Sequence, residues 1–222
     1  IEVQAYPVRR TAGGLPERPY DVAGWTLPLQ MNVKVDRIDR YFEMPATHRI
    51  EHVAITPARV WGEPRGAAYY VIDGRGNGAS IAINRLIGAG ASVSWTTTPM
   101  PLLGFTYPPG SIVVADARGV REIVEAVARD LGLRATAATG RLPAATRPLV
   151  KVRTALYQPW VENTDEGWTR WLLEQYEFPF TTITNADITR GGLRARFDAI
   201  ILPDEDADRL LTGYPAGSMP AE

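Results

Sequence analysis

The sequence predicts an α/β protein built from parallel sheets with flanking helices. Apolar runs of strand length alternate with longer segments whose apolar residues recur at helical spacing. Glycine, proline, asparagine or aspartate stands at most junctions between these segments. The order strand, helix, strand occurs in both halves of the chain, and this alternation favours parallel strands joined by right-handed crossovers.

The composition is that of a globular protein and excludes several classes of function. The chain has 222 residues, of which 45% are hydrophobic and 22% charged, and its net charge is −1. This balance gives no basic surface for nucleic acid or an anionic membrane, and no apolar run is long enough to span a bilayer. The absence of cysteine excludes disulfides, thiolate metal sites and a cysteine nucleophile. No signal-peptide pattern is visible, and we expect a fragment of a longer protein.

Three regions are predicted along the chain. Proline and glycine interrupt residues 1–48, which we expect to form an extended arm. Residues 49–145 are predicted to form an α/β domain and residues 149–222 a second, partial one, with a linker over Gly140–Pro148. The apolar residues of the arm that would pack on a neighbouring domain are Trp25, Leu27, Leu29 and Val33.

In the first α/β domain, AAYYVID is predicted to be a buried strand, and the helix that follows begins at Asn77 as its cap. The runs ASVSWTT and GSIVVAD are the next strands, and LRATAAT is the last. Between them, ARGVREIVEAVARDLG is the clearest helix of the chain. Its apolar face consists of Val120, Ile123, Val124, Val127 and Leu131.

In the second domain, LVKVRTALYQ, FPFTTIT and FDAIILPD are predicted strands, and EDADRLL begins a helix. NTDEGWTRWLLEQY is a predicted helix with Thr164 or Asp165 as its cap. The expected buried stripe of this helix is Trp168, Trp171, Leu172 and Tyr176. Strand segments of the two halves match at offsets of 84 and 88 residues, so the halves are either a diverged repeat or two unrelated α/β units.

The glycine-rich stretch DGRGNGAS allows two interpretations. Residues Gly74–Ala79 fit the pattern G-x-G-x-x-G/A of a dinucleotide-binding turn. However, Asp73 would repel a phosphate, and the next strand ends in threonines where an acid would bind a ribose. The sequence therefore favours a strand-to-helix turn whose glycines serve backbone geometry.

Two catalytic patterns are incomplete. Gly78–Ala82 approaches the G-x-S-x-G of a nucleophile elbow around Ser80, but α/β-hydrolases place the histidine after the serine, and both histidines precede it here. On a helix, His48 and His52 could share a zinc ion near Glu51. The alternation in EHVAITPARV predicts a strand instead, on which they would stand about 13 Å apart. We therefore predict no catalytic residue and no metal ligand.

Acidic residues follow several predicted strands, at the edge where α/β sheets bind ligands. Acids at a helix start also stabilise the helix dipole, which is a purely structural role. The candidates for ligand binding are Asp73, Asn77, Ser80, Asp116, Glu162, Asp165, Glu166 and Asp204.

Four stretches are distinctive: PYDVAGWTLPLQMNVKV, YPPGSIVVAD, YQPWVENTDEGWTRWLLEQYEFPFTTITNADI and LRARFDAIILPD. Together they resemble the region after the catalytic domain in large bacterial zinc carboxypeptidase A-like proteins. That family binds zinc with an H-x-x-E pair and a distant third histidine. His48 and Glu51 have the spacing, but no distant histidine follows, so the zinc site is not transferred to them. The resemblance implies an upstream zinc peptidase domain in an exported, extracellular or periplasmic parent protein.

The second half also looks like the start of a class I glutamine amidotransferase-like domain, which has a flavodoxin-like sheet. Those enzymes use a cysteine, and this chain has none, so the resemblance implies a truncated and inactive unit. The expected function is a non-catalytic accessory region of a zinc metallocarboxypeptidase. It would have no cofactor of its own and would pack on the peptidase domain or bind peptide or glycan. The alternatives are a free-standing small-molecule or nucleotide-binding α/β module and, thirdly, a hydrolase that uses Ser80.

Overall fold

The structure is a computed structural model that describes residues 10, 12–14, 34, 36, 38–52, 54–142, 145–215 and 217. The chain divides into two compact units, residues 1–53 and 54–222. In the first unit, residues 38–52 form no helix or strand and are exposed to solvent. The four apolar residues expected to anchor the arm lie outside the described residues.

Residues 60–148 form eight strands and two helices. They are β1 (Val60–Trp61), β2 (Tyr69–Ile72), α1 (Gly78–Gly88), β3 (Val93–Thr96), β4 (Met100–Leu102), β5 (Phe105–Tyr107), β6 (Ile112–Ala115), α2 (Val120–Leu131), β7 (Ala135–Ala138) and β8 (Thr146–Pro148). The strands and helices predicted between residues 69 and 138 are confirmed. The strand expected over EHVAITPARV is wrong for most of its length, because only its last residue and the tryptophan after it form β1.

The first sheet is mixed, which corrects the prediction of a parallel sheet. Its order is β1-β7-β2-β6-β3-β8, and only β1 and β7 are parallel neighbours. The strands β2 and β3, which α1 connects, are not neighbours, because β6 lies between them. In the same way, β2 lies between β6 and β7, which α2 connects. The four central strands thus have the order and directions of the split βαβ, or ferredoxin-like, arrangement.

Both faces of this sheet are covered. The helices α1 and α2 pack on one face, over a core that includes Tyr70, Ile72, Leu86, Ile112 and Val124. The hairpin β4–β5 covers the other face, where its Tyr107 packs against Tyr69, Val71, Val113 and Ala138. Because both faces are buried, the strands β2 and β6 are apolar at every position, as in a parallel sheet. Two-sided burial is the physical reason for the wrong prediction.

Two further elements of this region, the hairpin β4–β5 and the strand β8, were not predicted. The hairpin β4–β5 turns at Leu103 (φ 47°) and Gly104 (φ 75°), and two left-handed residues are typical of a tight hairpin turn. Leucine is an unusual residue there, so the sequence carried no turn signal. The expected linker Gly140–Pro148 contains β8, which pairs with β3 at the edge of the sheet.

The second sheet is parallel, as predicted. Its elements are β9 (Thr154–Tyr157), α3 (Thr164–Gln175), β10 (Phe180–Ile183), α4 (Asn185–Arg190), α5 (Leu193–Arg196), β11 (Ala199–Ile201) and α6 (Ala207–Thr212). The strand order is β10-β9-β11. Since β11 is parallel to β9 whereas β6 is antiparallel to β2, the matching segments of the two halves do not share a topology.

The two sheets are joined at the ends of α1 and α3. The Asn84 side-chain amide donates to the carbonyl of Tyr176 at 2.7 Å, and Arg85 forms an ion pair with Glu177 at 2.6 Å. Glu177 has a φ of 57° and is the left-handed residue of a Schellman motif, since the Phe178 N–H donates to the carbonyl of Leu173. Glu177, a non-glycine residue in the strained left-handed conformation, therefore makes a contact between the two sheets.

Candidate functional site

The glycine turn after β2 is closed by its own charged residues. The Asp73 carboxylate accepts the Arg75 backbone N–H at 3.1 Å, and the Arg75 guanidinium binds both carboxylate oxygens, with a shortest distance of 2.6 Å. Burial acts to raise the pKa of Asp73, but the hydrogen bonds from Arg75 outweigh it and hold this pKa below its usual value. Asp73 therefore serves the turn as an ion-paired acceptor.

The same glycines pack against other parts of the chain. A Cβ on Gly74 would stand 2.2 Å from the carbonyl oxygen of Gly110, and one on Gly76 would stand 3.2 Å from a methyl of Leu133. Asn77 occupies the N-cap position of α1, but its side chain makes no capping hydrogen bond, which corrects the predicted cap. Ser80 lies half-buried in the first turn of α1. This packing favours the turn interpretation.

Asp116 does not share an edge with Asp73. Because β2 and β6 are antiparallel, the end of β6 lies beside the start of β2, where the Asp116 N–H donates to the carbonyl of Ala68 at 2.9 Å. The expectation that both acids meet at one ligand-binding edge is therefore wrong. Burial, aided by Asp116, raises the pKa of Tyr70 to about 12.

The carboxyl ends of the parallel strands do bring several candidates to one edge. Asn163 caps α3, in place of the predicted Thr164 or Asp165, and accepts the N–H of Glu166 at 2.9 Å. Its amide donates to the carbonyl of Asp204 at 2.9 Å and to the Glu205 carboxylate at 3.0 Å. The loops after β9 and β11 are thus tied together, and Glu162, Asp165 and Asp204 are exposed on them.

Glu166 has a structural role that the sequence did not show. It is buried in the first turn of α3 and forms an ion pair with Arg170. Arg170 in turn donates to the hydroxyl of Thr182 on β10 at 3.0 Å. The pair therefore fixes α3 on the sheet and leaves Glu166 without access to a ligand at the strand ends.

Two adjoining cavities open at this edge, of about 500 and 670 Å³, and both are lined by Asn185. The Tyr157 hydroxyl, at the end of β9, donates to the Asn185 side-chain oxygen at 2.6 Å. Burial raises the pKa of Tyr157, so its hydroxyl stays protonated as a donor at neutral pH. The cavities offer neutral hydrogen-bonding groups, and the larger one is also lined by Arg209. Sequence reasoning missed both residues, although each stands at or just after a strand end.

The apolar side of α3 faces solvent, which overturns the predicted buried stripe. The side chains of Trp168 and Trp171 are 62% and 49% exposed and contact each other edge to face, with ring centres 5.9 Å apart. Leu172 beside them is also exposed. The helix instead turns Glu166 and Arg170 towards β10. We call Trp168, Trp171 and Leu172 the α3 face.

No zinc site emerges from the residues that the structure describes. Among them, no group of three histidine, aspartate or glutamate side chains could hold a metal ion. Residues 48–52 are exposed and not helical, so His48 and His52 lack the arrangement that a shared zinc ion requires. Within the described ranges, no helix is long and apolar enough to cross a membrane.

Comparisons of the chain with protein families, with curated proteins and with solved structures find no match. The resemblance to carboxypeptidase-associated regions therefore stays a prediction. The structural features that bear on function are the α3 face and the cavities at the edge of the parallel sheet.

Proposed function

We propose that this chain is a non-catalytic accessory region of a carboxypeptidase A-like zinc metallopeptidase and docks on the peptidase domain through the α3 face. The observation that carries the proposal is the exposure of two adjacent tryptophans on a helix of a parallel α/β unit. Sheets of this kind are normally covered on both sides. Exposed tryptophan is also the residue type most often found at the centre of protein interfaces.

The exposed area is large enough to matter for docking. Trp168 and Trp171 together present about 250 Å² of ring surface, by the usual size of an aromatic side chain. At about 25 cal/mol per Å², covering this area would contribute about 6 kcal/mol before the entropy cost of association. Leu172 extends the same apolar surface. These magnitudes suit a domain that packs against a neighbour within one protein.

The proposed division of labour places the chemistry in the peptidase domain. There, a zinc-bound water would hydrolyse the C-terminal peptide bond of a substrate. The second sheet would be the beginning of a flavodoxin-like, amidotransferase-like unit, because its order β10-β9-β11 equals the first three strands of that fold. Under this proposal the parent protein is exported, and peptide or glycan is the further partner that the accessory region could bind.

The test compares the 222-residue chain with the longest natural product of the same gene. Elemental mass spectrometry measures zinc in each, and hydroxyl-radical footprinting measures the oxidation rate of individual tryptophans. We expect one zinc in the long protein only, and oxidation of Trp168 and Trp171 that is several times slower there. Trp95, which is 39% exposed on β3, is the matched control and should oxidise equally in both. A long protein without zinc, or with unprotected Trp168 and Trp171, contradicts the proposal.

The second candidate function is small-molecule binding at the edge of the parallel sheet. The two cavities that share Asn185, and the Tyr157 hydroxyl bonded to it, favour this function. The test is a thermal-shift screen of nucleotides and other small metabolites on the chain and on Tyr157→Phe. A ligand that stabilises the chain but not the variant supports the site. Equal shifts in both proteins place binding elsewhere and reject it.

A further inference from the structure

A guanidinium group is held between two aromatic rings at one end of the first sheet. Arg134 directly precedes β7, and its guanidinium carbon lies 4.8 Å from the ring centre of Trp61 and 4.2 Å from that of Phe105. Its Nε atom is buried and has no hydrogen-bond acceptor. A buried donor without an acceptor destabilises the fold, so an acceptor for this N–H is expected.

The two rings are positioned by rigid parts of the fold. Trp61 is the last residue of β1, and the next residue, Gly62, approaches the backbone of β7 so closely that a Cβ would stand 2.6 Å from the carbonyl oxygen of Ala137. Phe105 lies on the hairpin and contacts Tyr107 edge to face at 4.8 Å. Tyr107 is itself hydrogen-bonded to Thr136 of β7 at 2.6 Å. Phe105 is therefore held by its neighbours on the hairpin, whereas Trp61 is fixed at its backbone and has a side chain that is partly exposed.

The surroundings carry an excess of positive charge. Arg59 stacks on Trp61 at 4.9 Å, and Arg75 stands 5.9 Å from Phe105. Asp73 lies beside Arg134, since its N–H donates to the Arg134 carbonyl at 2.9 Å, but both of its carboxylate oxygens are bound by Arg75. Neither Arg59 nor Arg134 forms an ion pair with a residue that the structure describes. Three guanidinium groups thus lie against these two rings, and Asp73 is the carboxylate beside two of them.

We propose that Trp61, Phe105 and the three arginines form a binding site for an oxyanion, the carboxylate or phosphate group of a ligand, which accepts the Nε–H of Arg134. A guanidinium group is planar, and its N–H groups match the geometry of carboxylate and phosphate oxygens. Under this proposal, the ring of Trp61, which is 42% exposed, rotates to open Nε to a ligand oxygen. This site is independent of the α3 face and of the proposed accessory role.

The simplest competing role for Arg134 is a purely structural one, in which it ties the hairpin to β1 by cation–π contacts. The experiment is an NMR titration of the whole chain that follows the arginine Nε–Hε signals. Inorganic phosphate and acetate are the probes, added at constant ionic strength against chloride. The signal of Arg134 is assigned by its loss in Arg134→Lys, and the exposed Arg129, paired with the neighbouring Asp130, gives the reference signal.

We expect a saturable downfield shift of the Arg134 signal with at least one probe, while the Arg129 signal drifts only slightly. Saturation by phosphate alone assigns a phosphate-bearing ligand, and saturation by acetate alone assigns a carboxylate. If the Arg134 signal drifts with both probes as weakly and linearly as that of Arg129, the oxyanion site is wrong and the structural role stands. The titration itself uses the unmodified chain, and Arg134→Lys serves only to assign the signal.

A charge variant provides a second test. Asp73→Asn removes the local negative charge but keeps the side-chain oxygen that accepts the Arg75 N–H in the turn. Anion affinity should therefore rise about three- to tenfold, as expected for the loss of one nearby charge of the same sign as the ligand. The matched control is Asp130→Asn, which removes an exposed acid on α2 and should leave the affinity unchanged. Equal effects of both variants would contradict a site at Arg134.

Discussion

Replacing Gly74 by alanine tests whether the glycine turn serves packing or a ligand. The new Cβ would stand 2.2 Å from the carbonyl oxygen of Gly110 and 2.9 Å from its carbon, far inside van der Waals contact. Both obstacles are backbone atoms, so no side-chain rotation relieves them. The segment they belong to is held by hydrogen bonds from the Gly110 N–H to the Thr96 carbonyl and from the Thr96 N–H to the Ser111 carbonyl, each 2.8 Å long.

The cost of Gly74→Ala follows from these contacts. Overpacking of this kind costs about 1–3 kcal/mol, and weakening the two hydrogen bonds adds about 1 kcal/mol each, which gives a loss of about 3–5 kcal/mol in the free energy of unfolding. The control is Gly88→Ala at the end of α1, where a Cβ meets no atom within 4 Å. That change should stabilise the protein by about 0.5–1 kcal/mol, because alanine loses less backbone entropy than glycine.

Urea unfolding followed by far-UV circular dichroism measures both variants, and an unchanged slope with urea shows that the comparison is valid. If Gly74 instead keeps space open for a phosphate, the variant without ligand should be as stable as the wild type. A loss below about 0.5 kcal/mol for Gly74→Ala would therefore refute the packing argument.

Two further predictions concern ion pairs. Glu177→Ala loses the contact with Arg85 but keeps the left-handed backbone, so it should destabilise the protein by about 0.5–1 kcal/mol. Glu177→Gly also loses the contact but relieves the backbone strain, so it should be nearly neutral in urea unfolding. Equal losses of stability in the two variants would contradict this reasoning. Hydrogen bonds from Arg153 lower the pKa of Asp198 from 3.8 to about 2. The contribution of Asp198 to stability is therefore present above pH 4 and lost as the pH falls towards 2. Asp198→Asn should flatten the dependence of the unfolding free energy on pH between these values. An unchanged slope in the variant would count against the ion pair.

The positions of the helices and strands were largely predictable. The helix α2 carries apolar residues at helical spacing and ends at Gly132, whose φ is 65°. The strands β2 and β6 are continuous apolar runs bounded by turn residues. These signals involve residues within a few positions of each other, and the same short-range contacts form whatever the rest of the chain does.

The direction of the strands and the inner side of α3 were not predictable in this way. A strand that is buried on both faces has the same composition in a parallel and an antiparallel sheet. Likewise, α3 has one side with two tryptophans and another with Glu166 and Arg170, and hydrophobicity alone favours burying the tryptophans. In the structure the polar side faces inward instead, with Glu166 buried and Arg170 hydrogen-bonded to Thr182 on another element.

The amino-acid sequence alone determines the local chemistry of this protein, and the closed turn at Asp73 and Arg75 is an example, because its partners are two residues apart. The tertiary structure determines which distant groups meet. Arg134 lies between Trp61 and Phe105 because β1 pairs with β7 and because the hairpin folds over the same face of the sheet. Short-range hydrogen bonds depend on neighbouring residues, whereas such a cluster depends on strand pairing across the whole sheet, which residue spacing does not encode.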